Sequence, residues 1–111
     1  MAAGYVNLYI EQGTTYSTTI LLDDVNYVAY NLVGYTASSQ IRKSYYQANA
    51  TATFATSIDA ANGTITLSLT APTTANIAPG RYVYDTILKD SSNTVSRILE
   101  GIAEISASVT R

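Results

Sequence analysis

Apolar and hydroxylated residues alternate along much of this chain. In Thr64-Ile65-Thr66-Leu67-Ser68-Leu69-Thr70 the apolar side chains take every second position and hydroxyls the others. That is the period of a strand with one face on a core and the other in water. Val6, Leu8 and Ile10 keep the same period, as do Tyr16, Thr18, Ile20 and Leu22. From Arg81 to Lys89 the pattern turns Tyr82, Tyr84 and Leu88 inward and Arg81, Asp85 and Lys89 outward. No stretch longer than a few residues shows the 3.6-residue spacing of an amphipathic helix. The abundance of Thr, Tyr, Val and Ile fits half-buried pleated surfaces, and the class predicted is all-β.

Turn residues divide the strands. Asn62-Gly63 is the strongest hairpin signal, since both residues tolerate positive φ at low cost; it joins a strand near 50–58 to one near 64–70. Asp90-Ser91-Ser92-Asn93 makes a polar turn between strands near 81–89 and 94–105. Ala71-Pro72 stops the strand before it, and residues 72–78 have room for one helical turn. About seven strands at intervals of 8–12 residues point to an antiparallel sandwich, because a single sheet that size would leave an apolar face wet. There is no internal repeat and no linker, so residues 1–111 read as one domain. Residues 25–32 are expected to form a variable loop or arm. Pro79-Gly80-Arg81-Tyr82 has the form of a tyrosine corner, in which a ring packs in the core and its hydroxyl bonds back to the upstream backbone.

Composition removes whole classes of chemistry. Lys and Arg number six against eight Asp and Glu, a net charge of −2, too few cations for a nucleic-acid-binding patch. With no Cys and no His, disulfides, thiolate metal sites, cysteine nucleophiles and Ser-His-Asp catalysis are all out of reach. The paired carboxylates Asp23-Asp24 lack the following oxygen ligands of a calcium loop, and neither Lys43 nor Lys89 sits in an apolar setting that would activate an amine. No catalytic residue, cofactor or metal is expected. The opening residues carry no signal-peptide pattern and no apolar run approaches a membrane span. The expectation is a protein made in the cytoplasm with no membrane partner.

Binding is the chemistry left. Residues 40–49 gather Arg42, Lys43, Tyr45 and Tyr46 at the end of a strand and in a loop, and Arg and Tyr are residue types that dominate interface hot spots. Two readings stand side by side: a docking site for a protein partner, or a solvated loop whose tyrosines cover the sandwich edge. On the docking reading, replacing Arg42 and Tyr45 with Ala leaves thermal unfolding nearly unchanged. Stacking of the tyrosines on sugar rings is a further alternative. The N-terminal stretch 4–10 and the C-terminal stretch 101–109, uncharged apart from Glu104, are expected to form edges that invite another chain.

The order of several segments carries a family resemblance. Ile10-Glu11-Gln12-Gly13-Thr14-Thr15-Tyr16 is followed by Leu32-Val33-Gly34-Tyr35, by Ala60-Ala61-Asn62-Gly63-Thr64, by Pro79-Gly80-Arg81-Tyr82-Val83-Tyr84-Asp85 and by Arg97-Ile98-Leu99-Glu100-Gly101. From about residue 8 onward the chain resembles small β-sandwich virion structural proteins of tailed bacteriophages, in particular contractile-tailed phages of cyanobacteria. The resemblance implies an immunoglobulin-like fold, no catalysis and a place on the particle among other virion proteins, in many copies or as a homo-oligomer. An outer capsid decoration or cement protein is the leading expectation, and a neck, tail or baseplate component the alternative. A glycan or cell-surface recognition module is the alternative from another class. Gly13 and Gly34 are expected as turn glycines, Tyr35 and Ile41 on a core-facing strand. Residues 25–31 depart from the pattern with Tyr27 and Tyr30 where a tight turn belongs, which makes those two tyrosines candidate partner contacts.

Overall fold

A computed structural model describes residues 4–21 and 32–109. In chain order the elements are β1 (Gly4–Tyr5), β2 (Leu8–Glu11), β3 (Tyr16–Leu21), β4 (Thr36–Arg42), β5 (Ala52–Thr53), β6 (Ala55–Asp59), β7 (Thr64–Leu69), α1 (Ala71–Ala75), β8 (Gly80–Lys89) and β9 (Val95–Ser106). Two sheets pack together. One has the order β1-β9-β8-β4-β5, with β2 also on β9; the other has the order β3-β7-β6. The second sheet matches B-E-D of an immunoglobulin-like sandwich, and the first matches strands C, F and G with the N-terminal strand moved onto G.

The nine strands reduce to the seven expected. β1 and β2 are one edge strand broken at Val6 and Asn7, and β5 and β6 are one run that changes sheet at Phe54. Two expectations need correction. The sandwich is not wholly antiparallel, because β1 and β2 pair with β9 in parallel. The uncharged terminal stretches are also not two free edges: they pair with each other, and β9 lies inside its sheet between the N-terminal strands and β8. The break also takes Val6 out of the alternation; Leu8 and Ile10 are buried while Val6 is exposed.

The core is drawn from both sheets. Ile65, Leu67 and Leu69 of β7 face Ile41 of β4, Tyr82, Tyr84 and Leu88 of β8 and Ala103 and Ile105 of β9, all buried. The ring of Phe54 lies between those of Tyr16 and Tyr84, at 6.3 and 6.4 Å between centroids, within the range of favourable tilted packing. Ile98 and Leu99 are both buried although adjacent. A register shift at Thr86/Ile87 leaves Ile98 without an opposite number, and a bulge of this kind turns two neighbours toward one face. Beside β4 the two sheets are stitched: Phe54 N–H donates to the Ser39 carbonyl (2.9 Å) and the Thr56 hydroxyl to the Ala37 carbonyl (3.0 Å).

Charge is divided between the sheets. β2 carries Glu11, β4 Arg42, β8 Arg81, Asp85 and Lys89, and β9 Arg97, Glu100 and Glu104, whereas β3, β6 and β7 together carry only Asp59. The outer face of the smaller sheet is instead a grid of hydroxyls. Ser17 pairs with Ser68 and Thr19 with Thr66, whose Oγ1 atoms lie 3.2 Å apart; Ser57 continues that row on β6.

Candidate functional site

The segment after β4 takes its shape from Arg42. The Arg42 guanidinium donates through Nη1 to the carbonyls of Gln47 (3.1 Å) and Ala48 (2.9 Å) and through Nη2 to Gln40 Oε1 (2.8 Å). A fixed fork of donors suits this task, since it satisfies loop carbonyls that no ladder reaches. Ser44 O accepts from Gln47 N–H, and Thr51 N–H returns to Ile41 O at 2.7 Å. The Lys43 ammonium stands 4.7 Å from the centre of the Tyr82 ring, a cation–π contact. Tyr45 and Tyr46 point outward, 64% and 97% exposed. Of the four residues singled out in this segment, two cations are engaged inside the molecule and two phenols face solvent. Tyr27, Tyr30 and the pair Asp23-Asp24 lie outside the described residues.

A shallow depression of about 170 Å³ opens beside this loop on the outer face of the larger sheet, lined by Gln40, Arg42, Tyr45, Val83, Asp85 and Arg97. Arg97 Nε approaches Asp85 Oδ2 at 3.2 Å, and its Nη1 approaches Glu100 Oε2 at 3.6 Å. These pairs are partly exposed and contribute at most about 1 kcal/mol. Guanidinium, carboxamide and phenol line the hollow, groups suited to hydrogen bonding and stacking. Among the described residues no three His, Cys, Asp or Glu side chains stand close enough to hold a metal ion, and no helix is long and apolar enough to cross a membrane.

The tyrosine corner is present. Tyr82 is buried and its hydroxyl donates to the Ala78 carbonyl at 2.7 Å, fixing the chain through Pro79 and Gly80 into β8. Gly13 and Gly34 take left-handed backbone with φ of 80° and 82°, in turns closed by Thr14 N–H to Glu11 O and Tyr35 N–H to Leu32 O. Ile41 is buried, and Tyr35 packs partly buried against the core just before β4. The hairpin expected at Asn62-Gly63 joins β6 to β7. It is a four-residue loop between paired Asp59 and Thr64, in which Gly63 alone has positive φ, at 64°. Asn62 serves through its side chain, whose Nδ2 donates to Asp59 Oδ2 at 2.8 Å.

Sequence reasoning passed over three polar anchors. Gln12 Nε2 donates to Ile77 O at 3.0 Å, and its Oε1 accepts from Ser108 N–H at 3.4 Å, tying the end of β2 to the corner and the C-terminal strand. Buried Thr74 donates to Thr14 O at 2.7 Å. Buried Thr86 donates to Ser39 Oγ at 3.0 Å, and Ser39 in turn to Asp85 O at 2.7 Å. Nothing local distinguishes these from surface hydroxyls and amides. The fourth omission, Gly101, had a signal: a lone glycine inside a strand pattern marks a close backbone approach. A Cβ at Gly101 would fall on the carbonyl of Val6, which accepts the buried Tyr84 hydroxyl at 2.6 Å. Burial pushes the Tyr84 phenol well above its ordinary pKa, with smaller contributions from Tyr16 and Tyr5, and burial raises Tyr16 as well.

No family model matches this chain, and no curated protein matches it.

Proposed function

We propose that this protein is a non-enzymatic virion structural protein of a tailed bacteriophage, acting as an outer capsid decoration or cement protein that binds other virion proteins. The observation that carries this reading is the order of turn and strand segments from Ile10 to Gly101, which resembles that of small virion sandwiches. Their placement supports it. Gly13, Gly34 and the Pro79-Gly80-Tyr82 corner fall at the turns that join strands of an immunoglobulin-like sandwich. Fold alone does not choose a function; low charge and a composition without His or Cys favour assembly over catalysis. The mechanism is reinforcement by many copies, each adding an interface to the lattice. Copy number per purified particle, by quantitative mass spectrometry against the major capsid protein, tests this. Hundreds of copies are expected. Six, twelve or a small multiple moves the protein to the neck, tail or baseplate, and none at all overturns the virion reading.

The exposure of Tyr45 and Tyr46 favours a second reading, recognition of a cell-surface glycan by stacking. A glycan array with the wild type and with Tyr45→Ala and Tyr46→Ala separates the two: absence of binding at millimolar ligand removes the glycan reading.

A further inference from the structure

We propose that β3 is a self-association edge, pairing antiparallel with β3 of a second copy to form a continuous six-stranded sheet across a two-fold axis. The inference concerns the isolated protein and does not depend on the virion reading.

Each edge of the two sheets has been treated differently. β2 carries Glu11 and is interrupted at Val6 and Asn7, and β5 is two residues long. β6 is stitched to β4 through Phe54 and Thr56 and ends in Asp59. Charge, brevity, interruption and covering are the ordinary means of blunting an edge. Among the described residues β3 has none of them. Its six residues Tyr16-Ser17-Thr18-Thr19-Ile20-Leu21 include no charge and no proline, and the ladder to β7 runs without a bulge. Its other side pairs with no strand among the described residues. The sheet behind it carries Asp59 alone, and depletion of charge is the compositional mark of an interface centre.

The strand also complements itself. Residues opposite each other in an antiparallel pair project from the same face. A two-fold axis at Thr18 therefore sets Tyr16 opposite Ile20 of the partner copy, Ser17 opposite Thr19, and Thr18 opposite Thr18. Half-buried Tyr16, Thr18 and Ile20 then stay on the core side in both copies, and the exposed hydroxyls of Ser17 and Thr19 stay on the outer face. No like charges meet. An isologous contact of this kind closes on itself as a dimer, and a ladder of five residues from each strand makes a small interface of modest affinity.

Sedimentation equilibrium across roughly 1 µM to 1 mM, the range in which a small interface dissociates, is expected to show the weight-average mass doubling. Hydrogen–deuterium exchange of residues 16–21 should slow over the same range. Ser17→Lys combined with Thr19→Lys sets lysine opposite lysine at both outward positions and should raise the dissociation constant at least about tenfold. Thr66→Lys, one strand in from the edge, should not. A circular dichroism melt reports whether the double variant folds; if it does not, exchange in the wild type decides. A monomer at every concentration overturns the proposal. So does a dimer that the folded double variant leaves intact, or a monomer whose β3 amides are already fully protected, since the edge would then be covered within one chain.

Discussion

Gly101→Ala should detach the N-terminal strand from the sandwich. Gly101 lies in β9 opposite Tyr84 and is buried. The space where its Cβ would stand is held by the Val6 carbonyl and, at 3.2 Å, by Cε1 of Tyr84. The carbonyl is backbone and the ring sits in the core, so neither gives way as the tip of a flexible side chain would. Moving Val6 breaks two hydrogen bonds, Val6 N–H to Glu100 O at 2.9 Å and Tyr84 hydroxyl to Val6 O at 2.6 Å. The first is worth about 1 kcal/mol net, and a buried hydroxyl left without a partner costs about 1–3 kcal/mol. Residual crowding costs about 1 kcal/mol if β1 stays attached; full detachment replaces that crowding with the loss of β1 pairing. Either way the sum is about 3–5 kcal/mol, a sizeable part of the 5–15 kcal/mol that holds a domain folded.

Urea denaturation measures this loss directly, and hydrogen exchange locates it. Amides of residues 4–6 should lose protection first, with β8 and β4 nearly unchanged. Gly4→Ala is the control, because its Cβ would meet only Leu99 Cδ1 at 3.5 Å and Ile98 O at 3.8 Å, ordinary contact distances; its effect should stay within about 0.5 kcal/mol. A Gly101→Ala protein within about 0.5 kcal/mol of wild type, with residues 4–6 still protected, refutes the close approach as the reason for this glycine.

Three further outcomes are expected. Tyr82→Phe removes the bond to Ala78 O and should cost about 1 kcal/mol, while Tyr82→Ala should cost about 3–5 kcal/mol; a Tyr82→Phe protein as stable as wild type in thermal denaturation would show that the corner bond contributes nothing. Because burial raises the Tyr84 phenol above its unfolded value of about 10, its contribution is complete below pH 10 and is lost as pH rises beyond that. The slope is about 1.4 kcal/mol per pH unit for one proton, and it should be shallower in Tyr84→Phe when urea midpoints are compared between pH 9 and 11. Arg42→Ala should lower stability by about 1 kcal/mol by freeing the carbonyls of Gln47 and Ala48, whereas Tyr46→Ala should leave it within about 0.5 kcal/mol. On the docking reading the Arg42 replacement leaves thermal unfolding nearly unchanged, so a measured loss at Arg42 favours the reading in which this loop covers the sandwich edge.

What could be read from the chain was what depends on near neighbours. The alternation in residues 64–70 placed Ile65, Leu67 and Leu69 in the core, and they are buried. The corner at Tyr82 closes onto Ala78, four residues away, and the Asp90 turn closes onto Ser92 and Thr94; each could be foreseen because its partners lie within one turn of chain. Val6 and Tyr84 meet across 78 residues, and Ser39 and Thr86 across 47. Period two says which face of a strand is buried and is silent about which strand lies beside it. The candidate site was legible in part: Arg42 could be read as a cation at a strand end, but its three bonds depend on a loop path that no pattern encodes.

The same distinction separates a scarcity of charge from its meaning. Counted along the chain, few charges mark a surface that assembly would hide without saying where. Pairing turns the count into a position. The two uncharged terminal stretches, natural suspects for open edges, satisfy each other in the parallel ladder of β1 and β2 on β9. Among the described strands the charges collect on the larger sheet, and the uncharged edge left over is β3. Its residues were assigned to the core on their alternation, and Tyr16, Thr18 and Ile20 are indeed turned inward, yet each is only half buried. An inward face left partly exposed, beside a ladder that no other described strand joins, is what a sandwich shows when its B strand has lost the A strand to the opposite sheet. Among the described residues, the exchange that protects β9 thus leaves β3 at an edge, and one change of pairing accounts for both positions.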